Sequence, residues 1–146
     1  VGAGTLITPD DVKRAVDAGA KFGVSPGATD KLLQAAEDMD LPMLPGAATA
    51  TEAMRLYGRG YNMLKFFPAE ASGGAPALKS LASPLPQIRF CPTGGVSPAN
   101  AESYLSLSNV VCAGGSWVAP DNLVRKGDWK AITELARAAS NLGAGS

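Results

Sequence analysis

"YNMLKFFPAE" (residues 61–70) sets one lysine in an apolar run and closes the run with a proline and a carboxylate. Period-two alternation predicts a strand with Met63, Lys65 and Phe67 on one face and Leu64 and Phe66 on the other. Pro68 brings no backbone N–H to a ladder, so the strand is expected to end there. Upstream, "TATEAMRLYG" (49–58) reads as a helix in which Thr49 and Glu52 form a capping box. Downstream, a helix is expected from about Ala75 to Leu81. One strand between two helices is the unit, and it recurs.

Working outward, further apolar runs end in Gly, Pro, Ser or Thr: "VGAGT" (1–5), "KFGVSPG" (21–27), "LPMLPG" (41–46), "QIRFCPTGG" (87–95) and "NVVCAGGS" (109–116). Between them lie helical stretches. "TPDDVKRAVDAG" (8–19) has Thr8 as N-cap, Pro9 at the first helical position, acids in the first turn and Gly19 as its stop. A helix follows from about Asp30 to Asp38, another is expected in "SPANAESYLSL" (97–107), capped and with its proline at the first position, and a last one in "DWKAITELARAAS" (128–140) after a loop. The strand-end landmarks Pro26, Pro45, Pro68, Pro92 and Gly115 are 19, 23, 24 and 23 residues apart. Repeated βα units of this length build a parallel sheet, either doubly wound or closed as a (β/α)8 barrel. No GxGxxG follows a strand, which argues against a dinucleotide fold. The expectation is one domain over residues 1–146, a (β/α)8 TIM barrel of which about six βα units, strands three to eight, are present. Val1 already lies in a strand, so the barrel is expected to lack its first two units here.

Composition narrows the chemistry. Thirteen basic residues balance thirteen acidic ones, which speaks against a nucleic acid or an anionic membrane held by bulk charge. No run of about 18 apolar residues suggests a membrane span. The sequence contains no histidine, which removes the usual zinc ligands and the Ser-His-Asp triad. Neither metal nor cofactor is expected. Cys91 and Cys112 sit in apolar runs and read as reduced core thiols of a cytoplasmic protein.

Distinctive residues collect at strand ends, where barrels place active sites. An ammonium at Lys65 facing a barrel interior is poorly solvated, burial lowers its pKa, and a neutral amine is a Schiff-base nucleophile for ketones. The same residue can equally be a strand-end lysine that reaches solvent or pairs with Glu70. Lys21, by contrast, opens its strand at the opposite end. Thr93, Gly94 and Gly95, with Gly114, Gly115 and Ser116, follow the last two strands. Paired glycines let backbone N–H groups approach an anion, and barrels commonly bind phosphate there. Thr5 offers a hydroxyl to a carboxylate or caps its strand. Glu70 is the nearest carboxylate to Lys65, as an acid/base or, with stronger grounds, as a loop anchor. Trp117 and Trp129 read as packing residues.

"VGAGT", "SPG", "PG", "KFFPAE", "FCPTGG" and "GGSW", in this order, resemble the 2-keto-3-deoxy-6-phosphogluconate and 4-hydroxy-2-oxoglutarate aldolases over essentially the whole chain. "KFFPAE" together with "RFCPTGG" is the specific part. The resemblance implies a class I aldolase of the Entner–Doudoroff pathway, cleaving a phosphorylated 2-keto-3-deoxy acid to pyruvate and glyceraldehyde 3-phosphate, usually as a homotrimer. It implies Lys65 as Schiff-base lysine, Thr5 on the pyruvyl carboxylate, Pro26 and Phe67 around the pyruvyl group, and Gly94, Gly95 and Ser116 on the phosphate with Thr93 nearby. The family's general acid/base glutamate and an arginine after it belong to first-strand segments that this sequence does not contain. The rival readings are another phosphate-binding barrel enzyme, such as a sugar-phosphate isomerase or epimerase, and an inactive barrel fragment.

Overall fold

The computed structural model describes residues 1–143. Its helices begin where the capping chemistry puts them. Asp11 N–H donates to the Thr8 hydroxyl, while the Asp11 carboxylate accepts from the Ile7 and Thr8 N–H groups at 3.1 and 3.0 Å, and α1 runs Pro9–Asp17. Gly19, at φ +83°, takes the left-handed turn that follows. Thr29 caps α2 (Asp30–Asp38), and the reciprocal Thr49–Glu52 box starts α3 (Ala50–Gly58). Four more helices follow: α4 (Gly74–Ala82), α5 (Ala101–Leu105), α6 (Asp121–Lys126) and α7 (Trp129–Ser140).

Between the helices lie short parallel strands: β1 (Gly23–Val24), β2 (Met43–Leu44), β3 (Gly46–Ala47), β4 (Met63–Phe66) and β5 (Arg89–Pro92). β1 pairs with β2, and β3 with β4 and β4 with β5, so neighbours in the chain are neighbours in space. "LPMLPG" yields two strands because Pro45 has no N–H to give, although its carbonyl still accepts from Lys65 N–H at 2.9 Å. The outer segments join by single bridges only, Ala3 to Gly23, Phe90 to Val110 and Thr93 to Gly114. One residue more lies between Val110 and Gly114 than between Phe90 and Thr93, which breaks a regular ladder as a bulge does.

The expected α/β alternation and parallel sheets are present. Among the described residues the sheet is open and no closed barrel forms, with five regular strands and two outer segments joined by isolated bridges. Residues 1–5 and 109–114 each bond to one neighbouring strand and not to each other.

The strand faces follow the alternation. Leu64, Phe66 and Phe90 are buried beneath Ala53 and Leu56 of α3, Leu78 of α4 and Tyr104 of α5, with the Phe66 and Phe90 rings edge-to-face at 6.2 Å. A second cluster joins Val12 and Ala15 of α1 to Leu32 and Ala36 of α2, with Leu6 and Leu41. Met63 and Lys65, on the other face of β4, are half-buried.

Local readings also change. α5 starts at Ala101, not at Pro98, because the Asn100 side chain turns back to accept from Ser97 N–H at 2.8 Å and to donate to the Gly95 carbonyl at 3.1 Å. The segment after Ser116 holds a turn of 3-10 helix, Ser116–Val118, and α6, which Gly127 ends at φ +67°. Cys91 is buried as expected, whereas Cys112 is exposed, since its segment lies at the sheet edge and no strand pairs beyond it among the described residues. Trp129 is not a packing residue: it opens α7 with 63% of its surface exposed.

Candidate active site

Lys65 stands near the middle of the β3–β4–β5 sheet. Its register partner on one side is Gly46, which has no side chain to crowd it, and on the other Cys91. A Cβ at Gly46 would run into the Pro26 carbonyl, so Pro26 meets the sheet next to the lysine's strand partner. The Lys65 Nζ lies 4.5 Å from the centroid of the Phe67 ring. Among the described residues no carboxylate lies within ion-pair distance of it. Burial therefore lowers the Lys65 pKa below its ordinary 10.5, opposed only by the neighbouring Cys91 thiol. The result is a lysine shifted toward its nucleophilic, neutral form.

The pairing of Lys65 with Glu70 does not occur. The Tyr104 hydroxyl donates to the Glu70 carboxylate instead, and the Glu70 N–H donates to the Gly94 carbonyl at 3.1 Å. The loop-anchor reading of Glu70 is the one the geometry matches.

Phe67 links the lysine to an open cleft. A Cβ at Gly94 would lie 3.1 Å from the Phe67 ring, so the ring packs against that glycine. Phe67, Thr93, Gly94, Gly95, Gly114, Gly115 and Ser116 line this cleft together with Val96, Ser97 and Trp117. Gly94 and Gly95 have φ of +91° and +83°, a conformation that glycine takes without strain. Gly114 sits against the Thr93 methyl, where a Cβ would come to 2.9 Å, and the Trp117 indole fills the space beside Gly115. The buried Thr93 hydroxyl has no hydrogen-bond partner among the described residues. One glycine turn, an extended glycine pair and a serine border one open space, with the Thr93 hydroxyl buried beside it.

Thr5 stands apart. It is exposed at φ +61° in a shallow recess with Asp11 and Arg14, on the first extended segment. That segment lies three inter-strand spacings from β4, roughly 14 Å of sheet. Sequence reasoning missed Gly46 and Cys91 as flanks of Lys65, and Asn100 and Tyr104 as loop anchors. Register alone reveals the first two, and nothing local signals the others.

A family model for KDPG and KHG aldolase matches residues 1–135. The chain belongs to that family. The KHG/KDPG aldolase of Escherichia coli K12 is 49% identical over 139 residues, which are 95% of this chain and 65% of that enzyme. The 2-dehydro-3-deoxy-phosphogluconate aldolase of Pseudomonas aeruginosa is 50% identical over 95% of this chain and 63% of its own length. The chain thus spans a little under two thirds of these relatives. Among solved structures, the KDPG aldolase of Legionella pneumophila, with pyruvate captured at low pH as a covalent carbinolamine, superposes with a TM-score of 0.90 at 48% identity. That match covers 94% of this chain and 67% of the other.

Proposed function

We propose that this chain carries the nucleophile and the phosphate site of a class I aldolase that cleaves 2-keto-3-deoxy-6-phosphogluconate to pyruvate and glyceraldehyde 3-phosphate. The observation that carries it is Lys65: a half-buried lysine without a carboxylate partner, its pKa lowered, next to a glycine-lined cleft. The likeness to a relative that forms a covalent carbinolamine with pyruvate supports the same assignment.

In this mechanism neutral Lys65 attacks the C2 ketone, forming a carbinolamine that loses water to an iminium ion. A base takes the C4 hydroxyl proton as the C3–C4 bond breaks, the aldehyde leaves, and the electron pair flows through the enamine to the iminium nitrogen. Protonation at C3 and hydrolysis then release pyruvate and free Lys65. Phe67 and Pro26 would border the pyruvyl end, and Thr5 its carboxylate once the sheet curls far enough to bring the first segment across. Thr93, Gly94, Gly95, Gly114, Gly115 and Ser116 would bind the phosphate, chiefly through backbone N–H groups. Glu70 is committed to Tyr104, so the base is expected from the family's first-strand glutamate. The extended segments correspond in this reading to strands three to eight of a (β/α)8 barrel, in a cytoplasmic homotrimer that needs no cofactor. Among the described residues no helix is long and apolar enough to cross a membrane.

Borohydride reduction in the presence of pyruvate, followed by peptide mass mapping, tests the proposal. A reduced pyruvyl adduct on Lys65 is expected. A folded protein with no adduct there would overturn the aldolase reading and leave the cleft to an isomerase or epimerase chemistry.

A further inference from the structure

The Thr93–Gly95 turn takes its direction from the loop that follows Lys65. The Thr93 carbonyl accepts from Ala69 N–H at 2.8 Å and the Gly94 carbonyl from Glu70 N–H at 3.1 Å. A trans peptide points its N–H opposite to its C=O. Both bonds therefore turn the N–H groups of Gly94 and Gly95 away from residues 69–70, and neither group donates to an acceptor among the described residues. The Glu70 stem supports the turn from below: a Cβ at Gly95 would lie 2.5 Å from Glu70 Cγ. The Glu70 carboxylate is held in turn by the hydroxyl of Tyr104, a fully buried residue of α5. Burial first, and the carboxylate second, raise the pKa of that phenol, so it remains a donor throughout the neutral range.

We infer that Tyr104 and Glu70 are positioning residues for anion binding: their hydrogen bond fixes the 69–70 loop, and that loop aims the Gly94 and Gly95 N–H groups into the cleft. The inference rests on reading this cleft as the phosphate site. It differs from a general stabilising role, because loss of the bond would loosen the glycine turn while leaving Lys65 on its strand, held by the Pro45 carbonyl.

The test is calorimetric titration of the intact protein with inorganic phosphate, alongside the rate of pyruvate capture at Lys65. Tyr104→Phe removes only the donor and is expected to weaken phosphate binding about fivefold or more while changing pyruvate capture less than twofold. Glu70→Gln, which still accepts from the phenol, is expected to stay within about twofold of wild type in both. Should the core not tolerate Tyr104→Phe, Glu70→Met at its exposed position keeps the stem under Gly95, removes the carboxylate and puts the same question. Wild-type phosphate affinity in the variants that break the Tyr104–Glu70 bond, or equal losses of phosphate binding and pyruvate capture in them, would overturn the positioning role. If the wild type itself binds no phosphate, the reading of the cleft fails first, and the inference with it.

Discussion

The Lys65 ammonium lies over the face of the Phe67 ring, 4.5 Å from its centroid, and that ring in turn packs against Gly94 of the cleft. Lys65 and the glycine-lined cleft thus share one side chain. A neutral amine attacks a ketone, so the rate of imine formation with pyruvate is expected to rise with pH as Lys65 loses its proton. Burial lowers that pKa from 10.5, which places the midpoint below 10.5. Stopped borohydride trapping across pH 6–11 measures it, with the range chosen to bracket an ordinary lysine at roughly 10.4. A midpoint at or above the ordinary lysine value would show that burial is not activating this residue.

Phe67 acts on Lys65 in two opposed ways, and one substitution separates them. As apolar cover it disfavours the charged amine, and as a π face it favours it by about 0.5–1 kcal/mol. Phe67→Leu keeps the cover and removes the π face, so the trapping midpoint should fall further, by about 0.4–0.7 of a pH unit. A rise would mean that leucine leaves the amine better hydrated than phenylalanine does.

How much of this was legible in the residues depends on the range of the forces. The caps at Thr8, Thr29 and Thr49 are set within four residues, and the reading at Thr8 and Thr49 matched the observed bonds. The two faces of β4 followed from alternation, because a strand next to helices must bury one side. Closure was not legible in that way. How far the sheet curls from residues 1–5 to residues 109–114 is set by pairings distant in the chain, which no local pattern encodes. The start of α5 was misplaced for a similar reason, since Asn100 has a stronger use as a bond to Gly95 than as a helix interior residue. Within the site, Lys65 and the glycine pairs stood out by composition, whereas Tyr104 reads from sequence as one more aromatic on an apolar helix face.

Cys91 and Cys112 occupy neighbouring segments and should differ sharply as nucleophiles. The neighbouring Cys91 thiol lowers the Cys112 pKa below its ordinary 9.0, while the same contact and burial drive Cys91 upward. Alkylation by iodoacetamide is expected to modify Cys112 with a rate half-maximal below pH 9.0, and to spare Cys91. Cys91→Ala removes the neighbouring thiol and should return that midpoint toward 9.0. Mass mapping of the alkylated peptides reads both, and faster labelling at Cys91 would contradict the assigned order of the two thiols.

The lysine that makes the proposed chemistry possible also carries a stability cost that depends on pH. With its folded pKa lowered, Lys65 binds its proton less tightly than in the unfolded chain, whose value is 10.5. Between the folded value and 10.5 the unfolded state holds more protons, so this group makes stability rise with pH through that window. Below the window its destabilising effect is complete, and above 10.5 it is gone. Lys65→Met keeps the length and apolar stem of the side chain without the charge. The variant should therefore be more stable than wild type at pH 7, with an advantage that shrinks as pH approaches 10.5. All other titrations occur in both proteins and cancel in the difference. Urea melts of the pair at pH 7 and at pH 10 measure it. An advantage of equal size at both values would assign the gain to packing by methionine, and no advantage at pH 7 would mean that water reaches the ammonium freely.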